Sequence, residues 1–189
     1  VTIDSSTISN NYTRDYGGGL YANSSTVTIS NSSVVRDTSN SNNGGGIYSN
    51  NTTLVLNNVR VDSNQTGSYG GGLYMDNDTL IATNTTFNHN TSINNSGSGG
   101  GVYFGGSNTS HTFDRCRIQY NTVGDQGGGV HMSYYVNAVF TNTLITDNEL
   151  TYSNSTRYGG GIYDGAGPGY GPTFTNVTIT NNTADYGGG

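Results

Sequence analysis

Residues 70–103 read GGGLYMDNDTLIATNTTFNHNTSINNSGSGGGVY. A glycine triplet, an aliphatic residue and an aromatic ring open this stretch at Gly70–Tyr74, and the same five-residue word returns at Gly99–Tyr103. Working outward, triplets begin at Gly17, Gly44, Gly70, Gly99, Gly127, Gly159 and Gly187, at spacings of 27, 26, 29, 28, 32 and 28 residues. All but the last are followed by an aliphatic residue (Leu20, Ile47, Leu73, Val102, Val130, Ile162) and then by a ring: Tyr21, Tyr48, Tyr74, Tyr103, His131 and Tyr163. Self-similarity at a period of 20–50 residues is the mark of a solenoid.

A second pattern lies between the triplets. Its apolar anchors are Ile8, Val34, Val61, Phe87, Ile118, Ile145 and Ile179. Three residues after each comes a polar column, Asn11, Asp37, Asn64, Asn90, Asn121, Asn148 and Asn182. Three before each lies another: Ser5, Asn31, Asn58, Asn84, Arg115, Asn142 and Asn176. Five before is an apolar column from Ile3 to Phe174, and two before is a compact one (Ser6, Ser32, Val59, Thr85, Cys116, Thr143, Val177). The columns alternate with period two over short segments, and none repeats at helical spacing, so the segments read as strands. One such unit cannot bury its apolar side alone, whereas coaxial stacking of units makes a continuous narrow core. The expected fold is an all-β, right-handed parallel β-helix of about seven coils with about three short strands in each, one domain over residues 1–189 and roughly 34 Å long at about 4.8 Å per strand. The Asn/Asp column is expected to form an internal amide ladder at one corner, and the glycine triplets to make another corner where the backbone turns left-handed or packs closely.

Composition agrees with this reading and narrows the function. Asn, Ser, Thr and Gly make up more than half of the 189 residues, and these residues weaken helices. The net charge is −6, Lys is absent, and the six Arg form no basic patch, which points away from nucleic acid. No apolar run approaches the roughly 20 residues of a membrane-spanning helix. Polarity alone would also suit disorder, but the low charge density and the regular apolar columns argue for a packed core. The single cysteine, Cys116, falls in the compact inward column and reads as core filling.

The Gly-Gly-aliphatic-Tyr word together with Phe87-Asn88-His89-Asn90 and its equivalents resembles the repeats of chlamydial polymorphic outer membrane proteins and related β-helix surface proteins. That resemblance covers the whole chain. It implies a surface-exposed rod or passenger and transfers no catalytic residue, and the membrane barrel of that family is absent from this stretch.

The columns also sort the candidate sites. Fourteen Asn lie in Asn-x-Ser/Thr sequons. Those in the two polar columns have structural reasons to be Asn, which leaves Asn23, Asn50, Asn51, Asn77, Asn94, Asn108, Asn154 and Asn181 as glycosylation candidates. The ring column from Tyr21 to Tyr163 is expected to face outward, either as a stripe that binds glycan or as rings packed on one another. Insertions concentrate in the loops Thr91–Ser98, Phe104–Ser110, Glu149–Tyr158 and Asp164–Gly171, where any binding site is expected. Acids are sparse. Arg14/Asp15, Arg36/Asp37 and Arg60/Asp62 read as a surface ion ladder; Asp76 with Asp78, and Asp114 with Arg115 and Arg117, are the compact sets that a polysaccharide lyase or hydrolase would need. His89, His111 and His131 share no metal-ligand spacing, and no metal or cofactor is expected. A flat Thr-x-Thr array suited to ice starts at Thr26 and Thr28, but Thr53-Leu54-Val55 and His111-Thr112-Phe113 break it. The expected function is therefore a non-enzymatic extracellular structural rod, glycosylated and stacking end to end into a fibril. The rival is a surface adhesin that binds glycan or host protein, with a polysaccharide-degrading enzyme third.

Overall fold

The computed structural model describes residues 1–107, 109–151 and 157–189. They form no helix. Four parallel sheets run side by side along the molecule, and each strand pairs with its counterpart one coil away. Sheet 1 has seven strands (Thr2–Asp4, Thr26–Ser30, Thr53–Asn57, Thr79–Thr83, Thr109–Asp114, Val136–Thr141, Gly171–Thr175). Sheet 2 also has seven: Thr7–Ser9, Ser33–Val35, Arg60–Asp62, Thr86–Asn88, Arg117–Gln119, Leu144–Thr146 and Thr178–Thr180. Sheet 3 consists of six two-residue strands, from Tyr12–Thr13 to Glu149–Leu150, and sheet 4 of six, from Leu20–Asn23 to Ile162–Asp164. Each coil but the last thus carries three strands of three or more residues and a fourth of two, which is too short to show alternation in the sequence.

The register keeps every column in line: Val34, Val61, Phe87, Ile118 and Ile145 are successive partners in sheet 2. Sheets 1, 2 and 4 turn these columns inward, and Ile29, Leu56, Phe113, Ile47, Leu73 and Phe104 are fully buried. Phe113 and Phe140 stack at 4.7 Å with planes 5° apart. His111 replaces an aliphatic residue in the core and lies against Phe104 at 3.7 Å. Its Nδ1 accepts from the Leu80 N–H at 3.3 Å and its Nε2 faces Thr109 Oγ1 at 3.2 Å. Burial drives its pKa down to about 3, so the ring is neutral.

Coils turn at left-handed residues. The column Asn31, Asn58, Asn84, Asn142 and Asn176 has φ between 48° and 57°, a region Asn enters more easily than most residues. A second left-handed set, from Asn10 and Arg36 to Asn181, immediately precedes the Asn/Asp column and swings it into the interior. The glycine triplets make the remaining corner, each for two reasons. Gly70 has φ +68°. A Cβ on Gly71 would lie 2.4 Å from the Gly100 carbonyl oxygen, and one on Gly72 would lie 2.9 Å from the Asn90 side-chain amide. The triplet thus lets the backbone approach close enough to roof the amide column.

Beneath that roof the ladder is continuous. Asn90 Oδ1 accepts from both the backbone N–H and the Nδ2 of Asn64, at 3.1 and 3.0 Å, while Asn90 Nδ2 donates to Val61 O at 3.0 Å. The same three bonds recur at Asn121 and Asn148, and Asn182 closes the column. Asn64, Asn90, Asn121 and Asn148 are at most 1% exposed, so every bond is made out of water. Replacing Asn121 by Ala would strip the acceptor from two Asn90 donors and the donor from Phe87 O. Each buried group left unpaired costs about 1–3 kcal/mol, so Asn121→Ala is expected to lower stability by roughly 3 kcal/mol or more, read as a fall in the urea midpoint.

Candidate functional site

The ladder has one member of different chemistry. Asp37 is fully buried, and its Oδ1 accepts the backbone N–H and Nδ2 of Asn11 at 2.8 and 2.9 Å, as an Asn would. Its backbone N–H donates to Asn64 Oδ1 at 2.9 Å. Its Oδ2 occupies the place of the amide nitrogen and has no partner among the described residues. Burial, the largest influence, raises its pKa. Asp37 therefore does not pair on the surface with Arg36, whose Nε donates to Asn10 instead. The expected ion ladder is not formed as a series: of its three Arg/Asp pairs, only Arg60 and Asp62 are joined.

The ring column lies on the outer side of sheet 4. Tyr21, Tyr48, Tyr74 and Tyr103 follow one another at 5.2, 5.2 and 5.1 Å with planes 5–6° apart. His131 and Tyr163 continue the stack at 4.6 and 4.9 Å. Rings lying flat on the sheet would collide at such spacing, so parallel rings this close must be stacked face to face. Their faces are spent on one another and their edges are turned to solvent. Tyr16 and Tyr69 cover the stack from the glycine corner, at 4.6 Å from Tyr48 and 5.1 Å from Tyr103. Tyr48 is pushed to about 12 by burial and by Asp76, and Tyr74 and Tyr103 are raised by burial as well, so the phenols stay neutral. His131 departs from the outward expectation: it is buried, burial takes its pKa to about 3, and its Nδ1 has no partner among the described residues. Of the two readings of this column, mutual packing describes the geometry.

The chain matches no protein-family model, no curated protein and no solved structure. No helix among the described residues is long and apolar enough to cross a membrane. What the site can do must therefore be read from its own residues.

Among the glycosylation candidates, Asn23, Asn51, Asn77, Asn94 and Asn181 are exposed. Asn50 is half-buried, with Nδ2 donating to Asp76 at 3.2 Å; Asn108 and Asn154 lie outside the described residues. Asn64 and Asn90 are sealed in the ladder. Asn31, Asn84 and Asn176, set aside with them as column residues, are exposed instead, because their column turns at the surface. The compact acid sets are committed to structure. Asp78 is buried and accepts the backbone N–H groups of Thr52 and Asp76, tying one coil to the next. Asp114 pairs with Arg115 at 2.7 Å and accepts from Asn142 at 3.1 Å. Cys116 fills the core, its thiol pushed up to about 11 by burial.

Two surfaces escaped sequence reasoning or were only partly foreseen. The loops after sheet 4 in coils four to six stack on one corner, where exposed Tyr134 meets Tyr135 edge-on and Tyr135 meets Tyr170. A cavity of about 160 Å³ beside them is lined by His131, Gln126, Ser133, Tyr134, Tyr163 and Gly165. The second surface is the outer side of sheet 1. Its central row runs Thr2, Thr28, Val55, Ile81, Thr112, Val139, Thr173. Flanking rows hold Thr26, Thr53, Thr79, Ser110, Asn137 and Gly171 on one side, and Asp4, Ser30, Asn57, Thr83, Asp114, Thr141 and Thr175 on the other. Leu54 and His111 point inward, and the Thr-x-Thr pair across the first flanking row and the central row is present only at Thr26/Thr28, since its counterparts are Thr53/Val55, Thr79/Ile81, Ser110/Thr112, Asn137/Val139 and Gly171/Thr173.

Asp37 and Asp78 both favour the proton when folded. An acid with a raised folded pKa contributes stability that is complete below its unfolded pKa of about 4 and is lost as pH rises through the folded value, which for Asp78 is about 6. Stability is therefore expected to decline between about pH 4 and 6. Asp37→Asn restores the missing donor and is expected to add about 1–3 kcal/mol at neutral pH while flattening part of that decline, measured as urea midpoints at the two ends of the window.

Proposed function

We propose that the protein is an extracellular structural rod. The observation that carries this reading is the commitment of its polar side chains to coil-to-coil bonding. The amide ladder, the ring stack and the two compact acid sets all join one coil to the next, and a scaffold needs such bonding where an enzyme would need free reactive groups. Exposed sequons at Asn23, Asn51, Asn77, Asn94 and Asn181 support glycosylation in a secretory pathway. The likeness of the repeats to chlamydial surface proteins supports placement outside the cell. Coil surfaces are complementary to one another throughout, and the same bonding supports end-to-end association into a fibril.

A second reading, a surface adhesin, is favoured by one feature: Tyr134 is 63% exposed beside the cavity at His131, on the corner where the long loops gather. Exposed rings next to a pocket suit glycan or protein recognition. The two readings separate on Tyr134→Ser. A rod is expected to keep its assembly and surface placement unchanged, and an adhesin to lose its ligand.

The proposal is tested on protein from its native source. Surface-restricted labelling of intact cells and glycopeptide mass spectrometry are expected to find the chain outside the membrane, with glycan on at least one exposed sequon. Protection from the label with every sequon unmodified would refute it.

A further inference from the structure

We propose that, on the adhesin reading of the long-loop corner, the cavity beside His131 binds one neutral sugar unit of a glycan chain.

Three departures from the repeat meet at this cavity. The first lies in the ring column. Its other members are tyrosines, and His131 is shorter, so the stack is notched where Tyr103 and Tyr163 flank the imidazole at 4.6 and 4.9 Å. The second lies at the residue before each glycine triplet. Tyr16 and Tyr69 hold that place and lie against the ring one coil on, Tyr48 and Tyr103, at 4.6 and 5.1 Å. One coil before His131 and Tyr163 the same place is held by Ser98 and Gln126, and parallel bridges from Ser98 to Gln126 and from Gln126 to Tyr158 keep these residues in register. Serine and glutamine leave open what tyrosine closes elsewhere. The third lies in the loop after the ring. Corners given to Ser24-Ser25 and Asn77-Asp78 in other coils become Tyr134-Tyr135. Tyr135 holds a φ of 61° where Ser24, Asn51 and Asn77 turn left-handed, a region that a bulky residue enters only at a cost.

The lining sets the chemistry of the ligand. It is made of His131, Gln126, Ser133, Tyr134, Tyr163 and Gly165, with no charged side chain among them. A carboxylate, phosphate or ammonium group entering it would give up water with no opposite charge in return. The walls are nevertheless polar, with amide, hydroxyl and phenol groups able to donate and accept. His131 is 7% exposed, and its Nδ1 has no partner among the described residues. Tyr134, 63% exposed at the rim, adds an aromatic ring for C–H groups to pack on. A neutral molecule that carries hydroxyls on its edge and C–H groups on its face is a pyranose. Size agrees. At about 160 Å³ the cavity is smaller than the roughly 300 Å³ at which pockets for drug-sized ligands begin. It equals about five times the roughly 30 Å³ share of a water molecule in the liquid, room for one sugar ring. Tyr135 and Tyr170, edge-on to each other at 5.2 Å, continue the aromatic surface beyond the rim for the neighbouring unit of a chain.

The test is binding of the purified intact chain to immobilised neutral oligosaccharides ending in glucose, galactose, mannose or N-acetylglucosamine, beside sialylated and uronate-ended ones. Two variants restore the repeat and fill the cavity: Gln126→Tyr, which supplies the ring that Tyr69 places against Tyr103, and His131→Tyr, which completes the column. Each puts a residue where other coils already carry it, so both are expected to keep the native circular dichroism spectrum. The native chain is expected to bind at least one neutral-ended glycan, and each variant to bind it at least roughly tenfold more weakly, a loss of about 1.4 kcal/mol. A native chain that binds none of the neutral-ended probes, binding confined to the acidic ones, or binding unchanged in both variants would overturn the proposal. If neither variant folds, Tyr134→Ser at the exposed rim supplies the same comparison. A protein ligand that is lost in Tyr134→Ser while no glycan binds the native chain would overturn the sugar assignment and leave the adhesin reading standing.

Discussion

The buried amide ladder is the constraint from which the rest of the molecule follows. An Asn side chain in the dry interior has to satisfy an oxygen and two N–H groups. Here its oxygen takes two donors from the coil before it, one backbone and one side-chain, and its nitrogen gives to a carbonyl of that same earlier coil. That arrangement exists only if successive coils lie directly over one another in fixed register. The glycine triplet is its steric counterpart, since any side chain at Gly72 would displace the Asn90 amide. Register and spacing are thus set at one corner and inherited by every sheet.

Inheritance explains both the order and the economy of the fold. Once coils are in register, like residues meet like residues, and stacking is available to any ring or hydroxyl that repeats. Tyr21 to Tyr103, Phe113 with Phe140, and the hydroxyls of Ser32 and Thr143, which accept from Ser6 and Cys116 backbone N–H groups at 3.0 and 3.2 Å, all use it. Register also penalises exceptions. Asp37 keeps the acceptor half of the ladder bond and loses the donor half, which leaves one buried oxygen unpaired.

Much of this could be read from the sequence because it lies in positions that repeat. Gly70–Gly72 and the Phe87/Asn90 pair recur with the coil, so the stacked solenoid, its core columns and the ladder followed from spacing. Other features depend on direction, which spacing does not encode. The two-residue strands of sheet 3 are too short to alternate. The left-handed turn at Asn31, Asn84 and Asn176 puts at the surface an Asn column that spacing alone marked only as structural. Face-to-face stacking of Tyr48 and Tyr74 depends on a 4.8 Å rise that no residue names. The continuity of the sheet 1 face required knowing that Leu54 and His111 turn inward while Val55 and Thr112 turn out.

The most direct measurement of the ladder is hydrogen exchange of its side-chain amides by nuclear magnetic resonance. If the column holds the coils together, the Nδ2 protons of Asn64, Asn90, Asn121 and Asn148 exchange only through global opening, as slowly as the backbone amides of the core strands, while those of exposed Asn23 and Asn51 exchange at once. Ladder amides that exchange as fast as the exposed ones would contradict the account.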